Sequence, residues 1–377
     1  MRNWLALLLL LTLSLPCVAQ LPERKKSKKK KKEVPEITQQ LEVIPDPPVA
    51  VTAETARLSF YLSPLSAKGL LSQQTRDAIK AVRTAAHGAP IVKVRAFVAG
   101  TGDLRRVASI VSEMFTEAKQ PIPAVSTILV GALPLEGAQI VMEATAQERR
   151  AVNPAGVAFF SGQLVRATEE KPRPLGDVAG ESLAHLQKAM TGAGVSTDNL
   201  LRTTCYLSVL DNPAGITAKL GQLFPKAVHN VVQLQRVTGP STVECEAVGR
   251  LAAAPAQAVE FVNPEGLDKS PSYTQLVRVN TPKLVLSTTQ QSFGLDDTAM
   301  KLCMSRLQKM LDSQHAGFGQ VVMAHGYALS NKAMAEYRKV RGEFYDKAHP
   351  PASTLLNFEG LPSSDAVFGL DVIAAIQ

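Results

Sequence analysis

Few side chains in this sequence have the types and spacing that catalysis or metal binding requires. The sequence contains no Gly-rich phosphate loop, no HExxH motif and no Cys-x-x-Cys pair, so we expect no cofactor and no metal. The strongest remaining candidates are His229 and Glu244. A carboxylate beside an imidazole raises the pKa of the imidazole and allows general acid/base chemistry. The alternative is a structural hydrogen bond between the same two side chains at a seam between domains.

Residues 1–19 have the pattern of a secretory signal peptide. A positively charged start precedes an apolar stretch over residues 4–15, which is too short to span a bilayer comfortably. Small residues then lead to a cleavage site before Gln20. Cys17 is also compatible with a lipoprotein signal, but Pro16 directly before it argues against lipidation. We therefore expect an exported protein, either periplasmic or secreted.

The positive charge of the chain is concentrated in one short segment. The formal net charge is +8, and residues 24–32 (RKKSKKKKK) hold eight basic residues, so the rest of the chain is neutral overall. Composition therefore gives no support for a nucleic-acid-binding face on the folded part. Residues 20–50 are predicted to be a disordered linker. The lysine run is either a solvated part of this linker or a contact to an anionic surface such as lipid head groups.

Three cysteines remain after the expected cleavage, namely Cys205, Cys245 and Cys303. All three lie in apolar stretches, which is typical of buried thiols. An odd number excludes complete pairing within the chain. Cys205 and Cys245 could form a disulfide if their strands are neighbours, and the sequence leaves this open.

After residue 50 the sequence repeats one order of elements three times. Each repeat has a strand, a helix that ends near a glycine, a second strand, a second helix and two closing strands. The helix-ending glycines are Gly88, Gly194 and Gly317. This order predicts an α+β fold of three tandem domains. The predicted domains cover 51–146, 147–254 and 255–377. Their first helices are predicted at 74–86, 178–191 and 298–314, and their second helices at 104–117, 214–224 and 332–347. The central strands between the two helices are predicted at 91–98, 200–207 and 321–329.

Short motifs within these repeats resemble one known family. Residues 159–163 (FFSGQ), 271–275 (PSYTQ), 350–354 (PPAST) and 243–247 (VECEA) resemble the VFVSGQ, GPYSQA, PPARST and VEIEA motifs of the Rid (YjgF-type) family, whose fold is chorismate-mutase-like. Members of this type are usually homotrimers with a cleft between each pair of subunits. The active ones hydrolyse reactive enamines and imines to ammonia and a 2-keto acid. The resemblance implies that three fused copies form a pseudo-trimer within one chain, so that the protein acts as a monomer.

The resemblance also identifies the positions where the family keeps its functional residues. The family arginine, which binds the substrate carboxylate, is replaced in all three copies. The glutamate that positions the attacking water is kept in the second copy alone. Tyr273 matches the family tyrosine, and Ser161 with Gly162 matches the SGQ strand. The arginine positions hold Val125, His229 and Ser353, and the glutamate positions hold Val141, Glu244 and Gly369.

These losses leave three hypotheses for the function. The first is a noncatalytic exported protein that binds a small metabolite or a partner, with Ser161, Gly162, Tyr273 and Ser353 as ligand-binding candidates. The second is a residual enamine or imine deaminase that uses His229 and Glu244 in the cleft of the second copy. The third, nucleic-acid binding, depends on the lysine run alone.

The remaining copies are expected to contribute less. The first copy has valines at both functional positions and is predicted to be structural. The third copy lacks a charged residue at these positions, which predicts a neutral ligand or none. His325, in the central strand of the third copy, is expected to pack in the core with one hydrogen bond.

Overall fold

The computed structural model describes residues 44–376. The predicted signal peptide and the lysine run lie outside the described residues, so export and the contact to an anionic surface stay predictions. Within the described part of the chain, no helix has the length and apolar character that crossing a membrane requires.

The described chain is a mixed α+β structure in which most predicted elements are present. The α-helices are α1 (Leu71–Ala85), α2 (Leu104–Glu117), α3 (Leu175–Ala193), α4 (Pro213–Leu223), α5 (Asp297–Ser313) and α6 (Asn331–Val340). The strands are β1 (Ala50–Glu54), β2 (Leu58–Leu62), β3 (Ile91–Ala99), β4 (Ala124–Val130), β5 (Ile140–Gln147), β6 (Val157–Arg166), β7 (Leu200–Leu207), β8 (Val228–Gln233), β9 (Thr242–Arg250), β10 (Val259–Val262), β11 (Leu276–Val279), β12 (Lys283–Ser287), β13 (Gln290–Ser292), β14 (Val321–Ala328), β15 (Ala352–Asn357) and β16 (Phe368–Ile376).

The strands form three sheets that share one pattern. The first sheet has the order β2-β5-β3-β4, the second β10-β11-β6-β9-β7-β8 and the third β1-β12-β16-β14-β15, with β13 also on β16. In each sheet the central strand pairs in parallel with one closing strand and antiparallel with the other. This shared pattern supports the predicted repeat.

Sheet membership departs from the predicted domain boundaries at two places. Strand β1, at the start of the first predicted domain, pairs with β12 in the third sheet, so Ala50 lies opposite Ser287. Strand β11, from the third predicted domain, pairs with β6 in the second sheet, where Leu276 lies opposite Phe160. Short apolar strands do not specify their partner by sequence pattern, because any sheet edge offers the same backbone hydrogen bonds.

Two helix ends differ from the prediction. Gly88 and Gly194 have left-handed backbone conformations, as a helix-ending glycine requires, but Gly317 is extended. His315, with a φ of 57°, adopts the left-handed conformation after α5 instead, which histidine tolerates better than most residues. The second helix of the third repeat ends at Val340 rather than at 347, and a short 3₁₀ turn that contains Gly342 follows it.

Each sheet buries one face under its own helices and the other face against the other sheets. The helix-covered faces form three separate apolar cores. On the opposite faces, aromatic side chains from all three sheets meet. Tyr206 and Tyr327 each pack edge to face against Phe358, and Phe97 packs against Tyr206. The three sheets are therefore joined by a common apolar core.

A disulfide joins two neighbouring strands of the second sheet. Cys205 on β7 lies directly opposite Cys245 on β9, and the two sulfur atoms are bonded. Cys303 on α5 is buried and free. The pairing that the sequence left open is therefore present in the structure.

We expect removal of this disulfide to lower the free energy of unfolding by about 2–4 kcal/mol, because the bond restricts the unfolded chain across 40 residues. Denaturant unfolding of the wild type and of the Cys205→Ala, Cys245→Ala double variant measures the difference. Cys303→Ala, which removes a buried thiol but no disulfide, is the control. Equal stability of the wild type with and without a reductant would contradict the prediction.

Candidate functional site

The strand with the SGQ motif joins the second and third sheets. The register of β6 against β9 shifts between Phe160 and Gln163, so Ser161 and Gly162 form a bulge. Ser161 Oγ donates to the backbone carbonyl of Thr274 at 2.6 Å and accepts from the backbone N–H of Ser353 at 2.8 Å. Ser161 thus holds β15 of the third sheet against the edge of this bulge.

The carboxyl group of Glu244 lies directly over the glycine of the bulge. A Cβ atom on Gly162 would lie 1.8 Å from Glu244 Oε1, so only glycine leaves room for the carboxyl group. Glu244 is buried, and this burial, together with the nearby charge of Glu246, raises its pKa to about 8 against the opposing charges of Arg166 and Arg338. The side chain therefore carries a proton at neutral pH.

Tyr273 belongs to the same seam rather than to a cleft of its own. It precedes β11, which pairs within the second sheet, and it is half-buried. Burial first, and then the charge of Glu244, raise the pKa of its hydroxyl. The structure therefore brings the four predicted ligand-binding residues together with Glu244 at the seam between the second and third sheets. The four are Ser161, Gly162, Tyr273 and Ser353.

His229 does not join this group, so the predicted pair with Glu244 does not form. His229 on β8 lies opposite Thr203 of β7, and Glu244 on β9 lies opposite Tyr206 of β7. Positions three apart on a strand face opposite sides of the sheet. The His229 side chain faces the end of α4, where its Nε2 contacts the backbone carbonyl of Phe224 at 3.0 Å. Burial lowers the pKa of His229, so the expectation that Glu244 raises it was wrong.

The strand registers place the three arginine-equivalent residues as the sequence predicted. Val125, His229 and Ser353 occupy the same register position on β4, β8 and β15. None of these residues carries a fixed positive charge. The positively charged side chains near this seam lie at other positions, which were not identified from the sequence.

Arg166 and Arg338 line a cavity of about 580 Å³ between the second and third sheets. Its walls include Leu164, Met334 and Leu355, and Leu164 lies directly opposite Glu244 on the neighbouring strand. Along residues 44–376 neither arginine forms an ion pair with a carboxylate. The cavity therefore combines apolar and polar walls with two guanidinium groups whose charges act on Glu244. The alternation of Gly162, Leu164 and Arg166 on β6 was the sequence signal that could have identified this face.

A second group of polar residues lies deeper, where the three sheets meet. Glu143, Glu246 and Asp371 occupy the same register position on β5, β9 and β16. Arg95 donates from Nε and Nη2 to Glu143 Oε2 at 2.9 and 2.7 Å, and from Nη2 to Glu246 Oε1 at 2.6 Å. His325 Nδ1 lies 2.9 Å from Asp371 Oδ1. We call this group the central cluster, which comprises Lys93, Arg95, Glu143, Arg202, Glu246, His325 and Asp371.

The charges of the central cluster are buried away from bulk solvent and stabilise one another. Burial raises the pKa of Glu143 and Glu246, but the surrounding charges and hydrogen bonds, led by the Arg95 guanidinium, together outweigh it and hold both pKa values below their usual range. His325 forms the hydrogen bond expected of a core histidine, and its Nε2 also lies 3.4 Å from Glu246 Oε1. Burial lowers the pKa of His325, but the two carboxylates outweigh this and raise it overall. Among the described residues no group of side chains has the composition of a metal site.

Comparison with known proteins agrees with the motifs. Residues 288–376 match the family model described as Endoribonuclease L-PSP, so this segment belongs to the Rid (YjgF-type) family, as predicted. Three solved structures are each 18% identical to part of the chain. They are the Rid-family protein YyfB from Yersinia pestis (32% of this chain, 100% of that one, TM-score 0.30), yeast YEO7 (32%, 99%, 0.24) and Rv2704 of the YjgF/YER057c/UK114 family from Mycobacterium tuberculosis (31%, 99%, 0.23). No curated protein matches the chain.

The raised pKa of Glu244 makes a prediction about stability. The folded pKa of about 8 exceeds the ordinary value of 4.5, so the folded state holds one more proton between these pH values and stability falls as pH rises. Relative to Glu244→Gln, the wild type should lose up to about 1.4 kcal/mol per pH unit in this window. Unfolding midpoints measured from pH 4.5 to pH 9 test this, with the exposed Glu136→Gln as a control. Parallel pH curves for the wild type and Glu244→Gln would show that Glu244 is ionised in the folded protein.

Proposed function

We propose that the protein binds a small metabolite that carries a carboxylate, in the cavity between the second and third sheets. The observation that carries this proposal is the pair of arginines, Arg166 and Arg338, on the lining of a cavity whose other walls are partly apolar and partly polar but uncharged. A volume of about 580 Å³ is within the range of small-molecule sites. A guanidinium binds a carboxylate through two parallel N–H donors, so either arginine can supply the charge that the family arginine supplies elsewhere.

Two groups close to the cavity arginines, although not on the cavity lining, favour the same ligand. Because Glu244 holds its proton, it does not repel an anion and its hydroxyl can donate a hydrogen bond to a ligand oxygen. The Tyr273 hydroxyl, whose pKa responds to the charges of Glu244 and Arg338, is a second group of this kind. Apolar side chains such as Leu164 and Leu355 suit a short hydrocarbon tail.

The architecture that holds this cavity is, in this proposal, a pseudo-trimer of three Rid-like copies in one chain. The shared strand pattern of the three sheets and their common core support it. So does the exchange of β1 and β11 between copies, which ties each repeat to another. Fusion removes the entropy cost that three separate subunits must overcome to assemble.

We further propose that the protein is exported. The pattern of residues 1–19 carries this proposal, and the bond between Cys205 and Cys245 supports it. Disulfides persist mainly in oxidising compartments such as the periplasm or the extracellular space.

Binding of 2-oxobutanoate tests the proposed site. We expect the wild type to bind this acid and not the neutral ketone 2-butanone, since the arginines contribute through charge. Arg338→Gln should raise the dissociation constant about tenfold or more, because a charge-assisted hydrogen bond contributes about 1.5–3 kcal/mol. Isothermal titration calorimetry measures both constants.

Arg105 offers a matched control. It lines a different cavity, between the first and third sheets, and is paired with Asp103 at 3.0 Å. Arg105→Gln should therefore leave the affinity unchanged. An equal loss in both variants, or equal binding of the acid and the ketone, would contradict the proposed site.

A deaminase is the second candidate, and the protonated Glu244 above Gly162 favours it. A buried carboxylic acid with a pKa near neutrality can transfer a proton to a departing amine. Ammonia release from 2-iminobutanoate, generated in situ, is the measurement. If the protein is an enzyme, Glu244→Gln should abolish the release, whereas His229→Ala should not, because His229 lies on the opposite face of the sheet. No release above the uncatalysed rate would leave the binding function alone.

A further inference from the structure

The central cluster encloses a cavity that the proposed carboxylate site does not use. Its volume is about 30 Å³, enough for one or a few water-sized particles. Lys93, Arg95, Arg202 and His325 line it, together with the carboxylates Glu143 and Asp371 and apolar side chains that include Phe60. A metabolite is too large for this space, so only water or a small ion can enter.

Several polar atoms of the residues around this cavity have no partner. Arg95 Nη1, Arg202 Nε and His325 Nε2 are buried and form no hydrogen bond within the described chain. The nitrogens of a guanidinium can only donate, so the two arginine atoms require an acceptor. Glu246 Oε2 is also without a partner, but Glu246 does not line the cavity.

The charged state of Lys93 follows from its contacts. Its Nζ contacts Ser126 Oγ at 2.6 Å, the backbone carbonyl of Ser287, and Asp371 Oδ2 at 3.5 Å. Ser126 donates its own proton to Asp371, so all three groups accept from Nζ. Three acceptors match the three N–H bonds of an ammonium, whereas a neutral amine could supply only two. Burial and the charge of Arg95 lower the pKa of Lys93 overall, although Asp371 opposes them.

The charged state of His325 follows in the same way. Its Nδ1 bonds to Asp371, and its Nε2 faces Glu246 Oε1 at 3.4 Å. Only the protonated ring presents an N–H to both carboxylates. The cluster then has four cations and three carboxylates, which leaves one positive charge. Glu244, the next carboxylate along β9, does not cancel it, because its own proton keeps it neutral.

We propose that the cavity in the central cluster binds one small monovalent anion, with Arg95 and Arg202 as its donors. An anion of the size of chloride or bromide accepts from both guanidinium groups and neutralises the remaining positive charge of the cluster. A water molecule could accept the same hydrogen bonds but would leave the charge in place. The site is therefore a structural anion site that stabilises the contact between the sheets.

Bromide is the probe that tests this site directly. Crystals of the mature protein grown in sodium bromide should show an anomalous peak in the cavity, within hydrogen-bond distance of Arg95 and Arg202. Electron density that refines as water, with no anomalous signal at high bromide concentration, would overturn the proposal.

Stability in solution provides an independent test. At fixed ionic strength, replacing gluconate with chloride should raise the unfolding midpoint of the wild type by about 2 °C for each tenfold increase beyond the dissociation constant. Arg202→Met should remove this response, and it introduces the residue that the third sheet has at the equivalent position, Met323. Arg173→Met, outside the cluster, should keep it.

His325→Asn provides a second variant if Arg202→Met does not fold. It removes the surplus charge and retains a polar side chain, so the response to chloride should fall. An equal response in the wild type, Arg202→Met and His325→Asn would show that chloride acts elsewhere, and would overturn the proposed site.

Discussion

The contact between the three sheets depends on the compensation of buried charge. Arg95 binds Glu143 of its own sheet and Glu246 of the second sheet, and both acids are almost completely buried. An unpaired carboxylate in such a place is very costly, whereas a paired one is tolerated. The arginine therefore ties the position of the first sheet to that of the second. His325 has the same role between the second and third sheets, since it lies between Glu246 and Asp371.

This constraint explains why the two faces of each sheet differ so strongly. The faces under the helices are apolar and pack within their own repeat, so each could belong to an independent domain. The opposite faces carry a charged cluster whose ion pairs are complete only when all three sheets are present. A repeat separated from its neighbours would lose the ion pairs that cross between sheets, such as Arg95–Glu246 and His325–Glu246, so the three repeats depend on one another. The seam at Ser161 belongs to the contact between the second and third sheets, where the backbone N–H of Ser353 donates to Ser161 Oγ.

Much of the fold could be predicted from the sequence because its signals are local. The three first helices and the three central strands lie within a few residues of the predicted bounds, since apolar periodicity and caps such as Asp103 act over one or two turns. The exchange of β1 and β11 could not be predicted, because strand pairing across long stretches leaves no local mark. The central cluster was missed for a similar reason. Arg95, Glu246 and Asp371 are far apart in sequence, and each resembles a solvated surface charge when read alone.

The structure brings some of the candidate site residues together and separates others. Motif matching identified Ser161, Gly162, Glu244 and Tyr273, and the structure brings them together. It also suggested His229 as the partner of Glu244, because the two lie on nearby closing strands. The alternation of side chains across a sheet separates them, and this depends on strand register, which the sequence does not state.

The loss of the family arginine therefore has a different meaning in the structure than in the sequence. In the sequence, Val125, His229 and Ser353 indicate a site that has lost its charge. In the structure, the groove beside Ser353 has two arginines from other elements, one at the end of β6 and one on α6. A carboxylate-binding site requires a positive charge at a particular position, and any element of the fold that borders the cavity can supply that charge. The replacement of a residue at one motif position is evidence about that residue alone. Whether the carboxylate-binding chemistry has been lost as well depends on the geometry of the cavity.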